Sequence, residues 1–426
     1  MLTTRPRGTN DLLPEDLSKW HYVENVLHQV AALYGYQEIR TPIFEHTELF
    51  QRGVGETTDI VEKEMYTFLD RGERSLTLRP EATASTVRAF LEHKLYAGSL
   101  PVKLYYLGPM FRYDRPQAGR YRQFHQFGVE AFGAQDPGLD AEVIAMALDI
   151  YQRLGLRNLV VELNSVGCPK CRQAHRQVLQ EYLRDRLTDL CPTCQSRFDR
   201  NPLRILDCKN EHCREVAAEA PTIDQLLCDD CRHHFQLVQE YLQELQVPYT
   251  LNPKLVRGLD YYTKTAFEIV AQGIGAQSSI GGGGRYDHLI EECGGAPLPG
   301  IGYAMGIERI ILTLEEQGIE FPHKEKAQVF IAALGDKAQK EGAKTAQELR
   351  KAGIAVERDY LGRSLKAQLK AANRLQAQTA VILGEEELAR GEAVVRKMEE
   401  GRQEVVSLEG LVSFLVKENK GGKQDE

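Results

Sequence analysis

Apolar residues recur at helical spacing near the start of the chain. Leu17, Trp20, Val23, Leu27, Val30 and Tyr34 share one face of a helix expected over Glu15–Tyr34, with Gly35 as its stop. Beyond it the pattern becomes strand-like. Extended segments are expected at Tyr36–Ile43, Val102–Leu107, Gln123–Phe132, Val160–Leu163 and Tyr261–Val270, several separated by helical patterns. Many strands with little strict βαβ alternation imply an antiparallel or mixed sheet. Within Gln123–Phe132, a period of two puts Phe124, Gln126, Gly128, Glu130 and Phe132 on one face. Polar Gln126 and Glu130 flank a glycine there, which suits a flat floor where a ligand lies close to the backbone.

After Leu314 the texture changes. EEQGIEFPHKEKA reads as a polar connector, followed by strand Gln328–Leu334, helix Asp336–Ala352, strand Ile354–Tyr360, helix Ser364–Leu375 and strand Thr379–Leu383. That alternation describes a small α/β domain with a largely parallel sheet. Its second helical segment, GRSLKAQLKAANR, carries Arg363, Lys366, Lys370 and Arg374 at intervals of three, four and four. On a helix these share a face, beside a second face formed by Leu365, Leu369 and Ala372.

At 426 residues the chain exceeds one core, and 42% hydrophobic with 27% charged residues describes an ordinary soluble globular protein. No apolar run is long enough for a membrane span, and MLTTRPRGTN lacks the apolar core of a signal peptide, so a cytoplasmic location is expected. A formal charge of −8 does not advertise a nucleic-acid binder, but a local basic patch is sufficient for phosphate contacts.

The densest basic cluster of the front half is FRYDRPQAGRYRQF, with Arg112, Arg115, Arg120 and Arg122. Pro116 and Gly119 mark it as a hairpin loop; it is either a grip for a polyanion or a solvated tip. LVRGLDYYTKTAFEI sets Arg257 just ahead of a strand bearing Tyr261 and Tyr262. IGGGGRYDHLI reads as a glycine turn between strand and helix, and it is not a P-loop because no Gly-Lys-Ser/Thr follows. GIGYAMGIERI spaces Gly302 and Gly306 four apart, as on a packing helix, with Arg309 close behind.

Taken in order, these segments resemble class II aminoacyl-tRNA synthetases, specifically the histidine family. Gly35–Glu45 is similar to class motif 1, the dimer-forming element; Arg112–Glu130 resembles motif 2; GIGYAMGIER resembles motif 3. LVRGLDYYTKTAFE and GGGGRYD resemble segments particular to the histidine family, and RGTNDLLPED and TLRPEATAS match it too. The resemblance implies an α+β catalytic domain on an antiparallel or mixed sheet over residues 1–322, with a helical, Cys-rich insertion at about 167–235. An α/β anticodon-binding domain would follow over 326–420.

It also implies ATP, with Mg²⁺, and L-histidine and tRNA(His) as substrates of a homodimer. Glu81, Thr83 and Gln126 would bind the α-amino group, and Glu130 and Tyr262, beside Tyr261, the imidazole. Arg112 and Arg257 would hold the α-phosphate and carboxylate. Asp114, Arg120, Phe124 and Arg309 would hold ATP, with Phe124 and Arg309 on the adenine. Position makes the Arg363, Lys366, Lys370 and Arg374 stripe a tRNA contact. Asp114 stands where the family commonly has Glu, and Ala82 where it often has Gly. A non-catalytic, histidine-sensing paralogue would be expected to lose the ATP-handling arginines and the anticodon domain; both are present here.

Nine cysteines with no export signal indicate thiols or metal ligands rather than disulfides. Eight form the pairs Cys168/Cys171, Cys191/Cys194, Cys208/Cys213 and Cys228/Cys231. They are candidate ligands of structural zinc or reduced thiols in a helical insertion. An unbroken helix of about 18 residues between the first two pairs would span roughly 27 Å, so those pairs could not share an ion. Each would then need a partner among the later pairs.

Overall fold

The computed structural model describes residues 3–55, 58–206, 208, 210–272, 279–322 and 327–421. The chain forms two compact units, Met1–Pro322 and His323–Glu426.

The first unit is built on an eight-stranded sheet. Its spatial order is Gln37–Glu38, Val102–Phe111, Gln123–Phe132, Gly300–Gly306, Ser279–Arg285, Thr263–Ala271, Leu159–Ser165 and Tyr249–Leu251. The six central strands pair antiparallel throughout, and each edge strand pairs parallel with its neighbour. Tyr105, Phe127, Val129 and Ala131 point into a core shared with helices Pro14–Leu33, Pro137–Arg153 and Ile307–Glu316. Helix Pro14–Leu33 buries Trp20, Val23, Leu27, Val30 and Ala31, the face its apolar spacing predicts. On the opposite face helix Thr83–Glu92 packs Val87 and Phe90 against Leu104, Phe132 and Tyr261.

The insertion comprises helices Pro169–Arg184, Pro192–Arg200, Glu211–Val216 and Asp229–Glu244, so it runs past the expected end near residue 235. Three of them start directly after Cys168, Cys191 or Cys228, two with proline at the first helical position. A fully buried ion pair of the sheet unit anchors the last helix through His234. Arg285 pairs with Asp140, which also accepts from Thr265 and lies 2.9 Å from His234 Nε2. Burial works against that carboxylate, but Arg285 and His234 hold it below its ordinary range.

Several expected elements differ. Gly300–Gly306 is a central strand rather than a helix, and Ser279–Arg285, which holds all four consecutive glycines, is a strand rather than a turn. Both are flanked by strands on each side, so small residues occur where no alternation is required. Tyr261 and Tyr262 precede their strand, which starts at Thr263, and Tyr36–Ile43 contributes only Gln37–Glu38.

The second unit is a five-stranded sheet ordered Val356–Arg358, Val329–Ala333, Thr379–Leu383, Glu392–Lys397, Gln403–Ser407. The first three strands are parallel, and the last two extend the sheet antiparallel, an addition the sequence pattern did not reveal. Helices Asp336–Lys351 and Leu408–Gly421 cover one face, and Leu365–Arg374 the other. Among the described residues no helix is long and apolar enough to cross a membrane.

Candidate functional site

The strands Gln123–Phe132 and Gly300–Gly306 form the floor of a cavity of ≈ 590 Å³. Glu81, Thr83, Arg112, Asp114, Arg120, Phe124, Gln126, Glu130, Arg257, Tyr261, Tyr262 and Arg309 all line it. They come from segments far apart in the chain and are brought together by the sheet order.

Part of the lining is acidic and hydroxyl-rich. Glu130, 1% exposed, accepts hydrogen bonds from Thr83 Oγ1 at 2.7 Å, from Tyr106 Oη at 3.3 Å and from Tyr286 Oη. Burial pushes its carboxyl up to about 8 despite these donors. Glu81 accepts from the backbone amides of Thr83 at 2.8 Å and Ala84 at 2.9 Å, capping helix Thr83–Glu92. Its pKa is raised as well, by burial. Gln126 Oε1 is buried with no hydrogen-bond partner among the described residues. A buried unpaired acceptor facing a cavity is matched by a ligand N–H.

Guanidiniums crowd the rest of the lining. Arg112 donates to the Pro80 carbonyl at 2.8 Å and lies 5.3 Å from the Phe124 ring centroid. Arg309 donates to the carbonyls of Ser279 at 2.8 Å and Gly119 at 3.2 Å, so it pins the arginine loop to the floor. Burial, then the nearby charges of Arg120 and Arg112, push the Arg309 pKa down. Asp114 pairs with Arg120 at 3.0 Å, and Arg257 pairs with Glu268 beneath the Tyr262 ring.

Two glycines matter for shape. A Cβ on Gly128 would meet Tyr106 Oη at 2.3 Å, and one on Gly302 would meet Glu130 Oε2 at 2.1 Å. The space above Gly128 is therefore taken by a tyrosine of the neighbouring strand, not by a ligand as the flat-floor reading expects. Tyr106, Tyr286 and Glu268 were missed by sequence reasoning. Tyr286 sits inside the GGGGRYD segment, and Tyr106 lies directly opposite Gly128, so strand pairing was the signal that could have found them.

The cysteines fall into two groups, Cys168, Cys171, Cys228 and Cys231, and Cys191, Cys194, Cys208 and Cys213. Helix Pro169–Arg184 keeps the first two pairs apart. In the second unit, Lys366, Lys370 and Arg374 are exposed on helix Leu365–Arg374. Arg363 precedes that helix and is ion-paired to buried Asp359, so the basic stripe is one residue shorter than expected.

A family model described as histidyl-tRNA synthetase matches residues 8–310, and an anticodon binding domain model matches 328–418. A histidine–tRNA ligase of Desulforamulus reducens is 64% identical over 97% of this chain and 99% of its own length. That of Moorella thermoacetica is 62% identical over 99% of this chain and 100% of its own. The solved structure of S. aureus apo histidyl-tRNA synthetase, 42% identical, superposes with a TM-score of 0.83 over 97% of this chain and 100% of that one. The chain belongs to the histidyl-tRNA synthetase family of aminoacyl-tRNA ligases, which charge tRNA(His) with histidine.

Proposed function

We propose that the cavity activates L-histidine with ATP and then passes it to the 3′ end of tRNA(His). The observation that carries this reading is the chemistry of the cavity's lining. Buried carboxyls and hydroxyls suit an amino acid with an ammonium and an imidazole, and a cluster of guanidiniums suits a triphosphate. Glu81, Thr83 and Gln126 bind the α-amino group; Glu130 and Tyr262, with Tyr261 beside them, bind the imidazole. A ligand lacking those nitrogens leaves both partners unpaired, which is the basis of selectivity.

Arg112 and Arg257 align the carboxylate with the α-phosphate. Phe124 and Arg309 enclose the adenine, with Arg309 reaching the γ-phosphate and with Asp114 and Arg120 at its edge. A carboxylate oxygen attacks the α-phosphorus, the bond to the β-phosphate oxygen breaks, and pyrophosphate leaves. A ribose hydroxyl of the terminal adenosine then attacks the histidyl carbonyl, and AMP leaves. Positioning and charge stabilisation carry the chemistry.

The family uses ATP with Mg²⁺, and structural zinc belongs to the insertion's cysteines. A cytoplasmic homodimer completes the reading; Ile43 at 44% and Phe44 at 51% exposure offer apolar surface in the motif 1 segment. In histidine-dependent ATP–pyrophosphate exchange, Arg257→Ala should fold and lose ~10²–10³ in rate. Near-normal exchange by the folded variant would remove Arg257 from the reaction.

A further inference from the structure

We propose that the insertion holds two separate metal ions, one per cysteine group, and that the distal ion positions a wall of the cavity. The first half stands on cysteine geometry alone; the second rests on the adenylate-forming reading of the cavity.

Within each group all four Sγ atoms lie within 4.8 Å of one another. The distances 3.6 Å for Cys168–Cys171, 3.9 Å for Cys168–Cys228 and 3.9 Å for Cys191–Cys208 are far longer than a disulfide. They match the edge of a tetrahedron about one zinc, about 3.8 Å for Zn–S bonds of about 2.3 Å. Backbone amides also point at sulfur: Cys228 N donates to Cys171 Sγ and Cys191 N to Cys213 Sγ, both at 3.1 Å. With helix N-termini at Cys168, Cys191 and Cys228, these amides aim the positive ends of backbone dipoles at the sulfur clusters. Apolar support is thin around the first group, with only Ile223 and Leu227 besides cysteines, whereas the second adjoins a larger cluster that includes Leu179, Leu183, Leu190 and Ile205. The first group is thus where the insertion most needs a staple.

The proximal group joins the entry of the insertion, at Cys168 and Cys171, to the start of its last helix, at Cys228 and Cys231. The distal group brackets the segment between Cys194 and Cys208. That segment carries Arg197 onto Asp59 at 2.8 Å, Asn201 onto Asp260 at 3.0 Å and Arg204 onto the Arg257 carbonyl at 3.2 Å. Arg197, Arg204 and Cys208 line the cavity themselves. The distal ion thus fixes the stretch of insertion that buttresses Arg257, whereas among the described residues no cysteine of the proximal group lines the cavity.

Full-length protein purified without chelator should contain two zinc ions per chain by elemental analysis. Cys171→Ser with Cys231→Ser should retain one, as should Cys191→Ser with Cys213→Ser. Should a serine variant not fold, cobalt in the unmodified chain gives the same count: tetrathiolate absorption should saturate at two ions, and chelator should expose eight thiols to alkylation. Fewer than two ions by both routes overturns the proposal. Loss of the distal ion should slow pyrophosphate exchange about tenfold, as should Arg204→Ala with both ions in place. Cys191→His, which still offers a zinc ligand, should restore both ion and rate. A distal-site variant with one ion and full exchange would overturn the positioning role. The metal count does not depend on activity, so failure of the cavity reading would show separately, as exchange insensitive to Arg257→Ala.

Discussion

Glu130, proposed to grip the imidazole, also carries a pH signature. Three hydroxyls surround it, yet burial holds its pKa at about 8 rather than the ordinary 4.5. A carboxyl raised on folding makes the folded chain bind that proton more tightly than the unfolded chain does. Its contribution to stability is full below the ordinary value and is lost as pH rises through about 8. Glu130→Gln removes this dependence, so the melting temperature of the unmodified protein should fall relative to the variant between pH 4.5 and about 8. A difference that stays flat across that window would mean the carboxyl ionises normally in the fold. Glu130→Ala should also weaken histidine by roughly tenfold or more while sparing ATP, because it leaves one imidazole nitrogen unpaired. Equal losses in separate titrations would make Glu130 structural only.

At the scale of elements, helix Leu365–Arg374 separates two jobs by face. Gln368, Ala371 and Ala372 are buried against the sheet, and Lys366, Lys370 and Arg374 face solvent. Lys366→Glu with Lys370→Glu should therefore weaken tRNA binding and aminoacylation while leaving pyrophosphate exchange nearly intact. The deficit should shrink with salt, each lost phosphate contact lowering the log–log slope by ~0.7–0.9. Unchanged tRNA affinity at low salt would return this face to plain solvation. What could be read in advance follows from which elements announce themselves. Helix Pro14–Leu33 has one apolar face and was legible; so was the hairpin around Arg112–Arg122, punctuated by Pro116 and Gly119. Gly300–Gly306 was not, because a central strand of small residues shows no alternation and its glycines four apart mimic a helix face. Tyr106 and Tyr286 escaped because their shared partner, Glu130, becomes their neighbour only through strand pairing. The paired cysteines were visible as pairs, but their grouping depended on how long helix Pro169–Arg184 runs.

On the scale of the whole molecule, the main apolar cluster of the first unit draws on residues before 322, and the two clusters of the second draw on residues from 327 onward. Within the first unit, however, strand Gln123–Phe132 takes Gly300–Gly306 as its neighbour, with residues 133–299 between them. A ribosome adding ~5–20 residues per second needs roughly 10–30 s to make that stretch. Throughout that interval the floor strand, carrying Phe124, Phe127 and Val129, has an open edge of backbone donors and acceptors. A chain halted near residue 299 should accordingly precipitate or be held by chaperones, where one extended through helix Ile307–Glu316 should be soluble. Arg309 closes the cavity from that same segment, the last of the sheet unit to be made, so under the proposed roles a shorter nascent chain should not turn over ATP and the chemistry should arise only when the sheet is complete.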